Sequence, residues 1–137
     1  MSPEEVRLVQ TTFHKVSPIA EDAAAMFYGR LFEIDPTLRP LFKGDMKEQG
    51  RKLMAMISLA VNGLGSPDKL GSAVRQLGTR HASYGVKAKD YDTVGQALLW
   101  TLEKGLGDAF TPQARQAWTA VYVLLASMMK EAAAKAA

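Results

Sequence analysis

Residues 70–86 read LGSAVRQLGTRHASYGV, and the order of apolar positions along them decides the fold. Leu70, Val74, Leu77 and His81 follow one another at steps of four, three and four, the stagger of one face of an α-helix. An imidazole thus stands in register with aliphatic side chains on the face that a helix buries. Tyr84 follows about one turn on, before Gly85. A buried neutral imidazole needs partners for its ring nitrogens or incurs a desolvation cost of about 1–3 kcal/mol. A core histidine with satisfied nitrogens meets that need, and so does a metal ligand; the rest of the chain has to decide between them.

Working outward, the stretch before this one runs from about Met46 to Leu64 with Met46, Gln49, Leu53, Ile57, Ala60 and Leu64 in helical register. A primary amide therefore sits in an otherwise apolar stripe, one turn from Leu53. Gly63, Gly65, Ser66 and Pro67 punctuate the boundary. Upstream, the two prolines of Pro36–Phe42 allow only a short turn or corner, with Phe42 left at the bend before the Lys43-Gly44-Asp45 break. A helix from about Ile19 to Phe32 carries Ala20, Ala24, Phe27 and Leu31 on one face, flanked by Tyr28, and stops before Asp35-Pro36. The first helix opens on Ser2-Pro3 with Glu5 three positions after the serine, a capping box, and carries Val6, Val9, Phe13 and Val16.

Downstream, Asp90 is placed to cap a helix bearing Tyr91, Val94, Leu98 and Leu102 that ends around Gly105 to Gly107. Thr111-Pro112 then opens a long helix with Ala114, Trp118, Val121, Leu125 and Met128 in register, extended by the tail from Glu131 to Lys135. No stretch alternates with period two over a strand's length. The expected class is all-α, built from seven helical segments of which the third is a short turn.

A chain of 137 residues with 47% hydrophobic and 23% charged residues suits one globular domain spanning 1–137. Seventeen basic against 14 acidic residues leave +3, and the basic residues are scattered rather than gathered into a stripe, which argues against nucleic acid as a partner. The absence of cysteine removes disulfides, thiolate-held metals and covalent haem attachment. The start lacks a basic segment followed by an apolar run, and no apolar stretch reaches the length of a membrane span, so the expected location is cytoplasmic.

Of the two histidines, His14 shares a helix face with Arg7, Gln10 and Ser17 and belongs to solvent. The seven methionines fit gap-filling in helical stripes better than metal ligation. Tyr28 and Gln49 could each be a satisfied core residue. A helical domain this small, however, has little use for a buried imidazole, phenol and amide together unless they converge on a common ligand.

At these residues the chain resembles the single-domain globins related to the globin half of bacterial flavohaemoglobins and to haemoglobins of the Vitreoscilla type. The markers are Phe27-Tyr28-Gly-Arg-Leu31-Phe32 before Asp35-Pro36, Leu41-Phe42, Gln49-Gly-Arg-Lys-Leu53-Met54 and Arg80-His81-Ala-Ser-Tyr84-Gly85-Val86. Tyr91-Asp-Thr-Val94-Gly95-Gln-Ala-Leu98-Leu99 and Ala117-Trp118-Thr-Ala-Val-Tyr122 complete the set. The resemblance implies a globin fold, a three-over-three helical sandwich around haem with the D helix short or absent. It also implies non-covalent haem b with His81 as proximal iron ligand, Phe42 stacked on the macrocycle, and Tyr28, Gln49 and Leu53 lining the gas-binding side.

Val86, Tyr91, Val94 and Leu98 would line the cofactor by the same resemblance, with Tyr91 orienting the proximal imidazole as well. Lys52 and Arg80 would pair with haem propionates. The family's proximal glutamate is replaced by Ala133, with Glu131 two residues off and on another helix face. O2, NO and CO are the implied ligands. The implied role is oxygen binding or nitric oxide detoxification, the latter with an external flavin reductase. The alternative is a non-catalytic module for gas or ferric-ligand (for example sulfide) binding, storage or sensing, as a monomer or homodimer.

Overall fold

The computed structural model describes residues 2–83 and 85–136; Tyr84, quoted in the motif above, lies outside the described residues. Among them there are six α-helices and no strand: α1 (Pro3–Val16), α2 (Ala20–Ile34), α3 (Met46–Asn62), α4 (Pro67–Ser83), α5 (Ala88–Leu106) and α6 (Pro112–Ala136). The expected third segment is a 3-10 turn at Pro36–Leu41. No helix occupies the stretch from Phe42 to Asp45, which agrees with a D helix short or absent.

The helix starts follow the chemistry of their caps. Ser2 Oγ accepts from the Glu5 N–H and a Glu5 carboxylate oxygen accepts from the Ser2 N–H, each at 3.1 Å. Asp45 Oδ1 accepts from Lys47 N–H at 3.0 Å to start α3, and Thr111 Oγ1 accepts from Ala114 N–H at 3.1 Å to start α6. The expectation that Asp90 caps α5 is corrected. The helix begins two residues earlier, at Ala88, and the buried Asp90 reaches back to accept from Lys87 N–H at 2.8 Å. A carboxylate in the first turn that accepts from the cap residue's own N–H satisfies one of the orphan donors at a helix start.

In the packing, α4 lies on α6, α2 on α5, and α1 and α3 close the sides. One core cluster joins Val9, Phe13 and Val16 of α1 to Val61, Leu102, Ala117, Trp118 and Val121. Trp118 is its largest buried side chain, and its indole N–H donates to Thr12 Oγ1 at 2.8 Å, so the ring is buried without an orphan donor. A second cluster gathers Phe27, Tyr28, Leu31, Leu38 and Ala97, with Phe42, Leu53, Val94 and Leu98 packed on it but only partly buried. No helix among the described residues is long and apolar enough to cross a membrane.

The α4–α6 contact is backbone to backbone. A Cβ built on Gly78 would stand 2.5 Å from the Met129 carbonyl oxygen and 2.6 Å from its Cα, closer than real Cβ atoms come. Gly78 lies one turn before His81, so it also sets how close the imidazole comes to the rest of the fold. We expect Gly78→Ala to push the helices apart and lower stability by about 1–3 kcal/mol in urea denaturation. A variant as stable as the parent would show that the crossing tolerates a side chain.

Candidate functional site

Tyr28 projects from α2 and Gln49 from α3, and the two meet because their helices cross with only the Ala24 methyl facing Gly50. A Cβ on Gly50 would come within 2.9 Å of Ala24 Cβ, and Ala24 lies one turn before Tyr28. With the backbones this close, Gln49 Nε2 donates to Tyr28 Oη at 3.2 Å. The phenol oxygen accepts that bond, so its own hydrogen remains a donor for a third group. Burial pushes the Tyr28 pKa above its ordinary value, and the bond from Gln49 offsets only part of that shift. The phenol therefore stays protonated at neutral pH.

Three aromatic rings surround that of Tyr28. Phe27 meets Tyr28 edge-on at 5.0 Å, Phe32 stacks at 6.0 Å and Phe42 meets it edge-on at 5.2 Å; Phe32 and Phe42 themselves lie 5.5 Å apart. Arg39 pins this corner, its guanidinium lying 5.6 Å over the Phe32 ring and donating to the Phe42 carbonyl at 2.9 Å. Leu53, Val94 and Leu98 join the same cluster from α3 and α5. The structure thus brings together Tyr28, Gln49, Leu53, Phe42, Val94 and Leu98 as one apolar group carrying one polar pair.

On α4, the His81 Nδ1–H donates to the Leu77 carbonyl at 2.8 Å, since a carbonyl can only accept. The neutral ring then bears its lone pair on Nε2. Burial holds the His81 pKa below the usual imidazole value, which the Leu77 bond opposes without cancelling. The C-terminal turn fixes the ring's backbone. Val86 N–H donates to the His81 carbonyl and Gly85 N–H to the Ala82 carbonyl, both at 3.1 Å, the paired bonds of a Schellman ending. Gly85 has φ of +91°, a conformation that penalises any Cβ. We expect Gly85→Ala to cost about 1–2 kcal/mol in chemical denaturation and Gly85→Asn, which tolerates that region better, to cost less. Equal losses in the two variants would refute the backbone explanation.

Tyr91, at the start of α5, is 6% exposed, and its hydroxyl is buried with no hydrogen-bond partner among the described residues. Its backbone carbonyl accepts from Tyr122 Oη, and Lys130 Nζ lies 5.7 Å over its ring. Burial and the neighbouring Tyr91 and Asp92 raise the Tyr122 pKa well beyond the normal phenol range. Glu131 faces solvent and pairs with Lys135 at 3.3 Å, so it does not stand in for a carboxylate at Tyr91. Lys52 is exposed and pairs along its own helix with Glu48 at 4.0 Å, and Arg80 is exposed on α4 next to His81.

The donor set tests what kind of cofactor these residues suit. Among the described residues no group of three or more His, Cys, Asp or Glu side chains could hold a metal ion. A bare ion generally needs three or four protein ligands. One half-buried imidazole with its lone pair on Nε2 suits a metal that brings its other ligands in a flat organic ring, and the partly buried Phe42, Leu53, Val94 and Leu98 suit the ring's apolar faces.

An all-helical chain with one oriented imidazole and an apolar cluster bearing a phenol and an amide has the build of a haem-binding helical protein. A globin family model matches residues 25–129, and the chain belongs to the globin family. Membership implies haem binding and haem-based binding of gases in general. The chain is 30% identical to the neuroglobin of Danio rerio over 98% of its own length and 94% of that protein. It is 30% identical to the neuroglobin of Tetraodon nigroviridis over 95% of its length and 91% of that protein. A flavohemoprotein of Bacillus subtilis (strain 168) is 29% identical over 88% of this chain, which spans 31% of that longer protein. The flavohaemoglobin likeness was legible in the motifs; the neuroglobin likeness was not.

Sequence reasoning overlooked Gly50, Gly78 and Lys130. The two glycines gave a faint signal, each within three residues of a polar residue set in an apolar stripe.

Proposed function

We propose that the chain binds haem b through His81 Nε2 and takes O2, and likewise NO and CO, beside Tyr28 and Gln49. The observation carrying this reading is the Gln49 Nε2 to Tyr28 Oη bond inside an aromatic cluster. When bound, the cofactor supplies a redox-active iron with a coordination position open to a diatomic gas.

The protein's own groups do the rest. The Leu77 carbonyl holds the imidazole in the tautomer that presents Nε2, and burial keeps it unprotonated, as a metal ligand must be. Phe42 offers an aromatic face to the macrocycle, and Val86, Tyr91, Val94 and Leu98 pack along it. Gln49 donates to the phenol oxygen, which polarises the phenol O–H and aims that hydrogen away from the amide. A phenol held this way donates a strengthened hydrogen bond to a ligand that gathers negative charge. Leu53, one turn from Gln49, excludes water from the same space. Lys52 and Arg80 are the cations we assign to the cofactor's carboxylates; exposed pairs of this kind contribute about 0–1 kcal/mol.

The physiological role we infer is oxygen binding or nitric oxide detoxification in the cytoplasm. Sustained turnover would draw electrons from a separate flavin reductase, a partner compatible with the flavohemoprotein likeness. Visible absorption of the purified chain, with and without dithionite and CO, tests the cofactor assignment. A Soret band that shifts on reduction and again on CO addition is expected. Its absence after reconstitution with excess haem would overturn the reading.

A further inference from the structure

Lys130 of α6 is partly buried and makes no ion pair among the described residues. Its ammonium lies instead over the face of Tyr91, 5.7 Å from the ring centroid. A lysine ordinarily keeps its charged head in water. Setting it over a ring that is only 6% exposed draws the charge toward the interior. The preceding residue shows which part of the interior that is. Met129 presses its main-chain carbonyl and Cα on Gly78, one turn before His81 on α4. Consecutive residues of α6 thus face both groups that the proposed site puts on the imidazole's side: Met129 meets the helix bearing His81, and Lys130 meets Tyr91. Tyr122, about two turns before Lys130 on α6, steadies the second contact by donating from its hydroxyl to the Tyr91 carbonyl.

Neighbouring groups leave this charge in force. Burial raises the Tyr91 pKa, so its phenol is neutral at ordinary pH, and its hydroxyl has no hydrogen-bond partner among the described residues. Glu131, the next residue on α6, is exposed and pairs with Lys135. Two acids of α5 share a surface groove with Lys130. Glu103 pairs there with Arg115, and Asp92 is exposed and acts on Tyr122, whose pKa it helps to raise.

Resting on the reading that haem binds at His81, we infer that Lys130 supplies a fixed positive charge on the imidazole's side, which biases the iron toward its reduced form. One-electron reduction takes a positive charge away from the cofactor, so a nearby cation disfavours the oxidised state more than the reduced one. A partly buried charge acts through a medium less polarisable than water and is screened by salt less than an exposed one. The reduced iron is the form that takes O2. Lys130 on the imidazole's side thereby extends the conditions under which Tyr28 and Gln49, on the other side, have a ligand to hold.

Spectroelectrochemical titration of the haem-loaded full chain is the test. Lys130→Met keeps an unbranched apolar stem and removes the charge. It should lower the ferrous-to-ferric ratio at a fixed poise about three- to tenfold, where a tenfold change corresponds to about 59 mV for one electron. Lys130→Arg should stay within about twofold of the parent, since it keeps a cation able to lie over the ring. Lys130→Glu should fall further than Lys130→Met. Lys15→Gln, which removes an exposed cation of α1, controls for net charge and should leave the potential unchanged. Resonance Raman of the reduced form reads the stretch between iron and imidazole, expected to be the same in every variant because Leu77 holds the ring. A potential in Lys130→Met equal to the parent's overturns the inference, and so does an equal shift in Lys15→Gln. A shift accompanied by a changed stretch also overturns it, for it would mean that the ring had moved. A parent that shows no histidyl iron at all would instead overturn the haem assignment on which the inference rests.

Discussion

His81→Ala, reconstituted with an excess of haem, is expected to lose the absorption signature of histidyl iron that the parent shows in its reduced and CO-bound forms. The replacement removes the ring that Leu77 orients and that burial keeps neutral, and no second imidazole is placed to replace it: His14 is exposed on α1. Free imidazole at millimolar concentration should restore much of the signature if the alanine leaves room beside the helix. Far-UV circular dichroism separates loss of the ligand from loss of the fold. An alanine variant with the parent's spectrum would end the assignment of His81 to iron, and the proposed function with it.

Tyr28→Phe carries the second large effect. It removes the hydrogen that the Gln49 bond directs away from the amide, while the ring that packs on Phe27, Phe32 and Phe42 remains. A hydrogen bond to a charge-bearing acceptor contributes about 1.5–3 kcal/mol, so O2 release measured by stopped flow should quicken by roughly 10- to 100-fold. Gln49→Leu should quicken it less, since it leaves the phenol in place and removes the group that polarises it. Release unchanged in both variants would refute the distal roles given to these residues. A larger effect in Gln49→Leu would reverse their order.

The helices were legible because amphipathic spacing and caps are local: Leu70, Val74, Leu77 and His81 specify α4 without reference to any other segment. The start of α5 misled for an equally local reason. Asp at a helix start reads as a cap, and only three-dimensional structure shows that the chain is already helical from Ala88 and leaves Asp90 inside the first turn. Gln49 and His81 stood out as misfits, polar groups in apolar registers, but their connections did not. Periodicity says that Gln49 points inward; it says nothing of which side chain Gln49 meets, since that depends on how closely Gly50 lets α3 approach Ala24. The same holds for the His81 ring, whose Nδ1–H donates to the Leu77 carbonyl of the same helix, while the Tyr91 hydroxyl expected to orient it has no hydrogen-bond partner among the described residues.

The bare-backbone seam at Gly78 has a mechanical corollary. With Met129 main-chain atoms filling the space where a side chain would stand, no soft spacer separates the two longest-touching rods of the molecule. They must travel together, whereas the slighter junction of α3 with α4 can part first. Amide exchange along the rod carrying His81 should therefore follow the slow pace of the C-terminal rod, and breathing of the molecule should be heard on the Gln49 side.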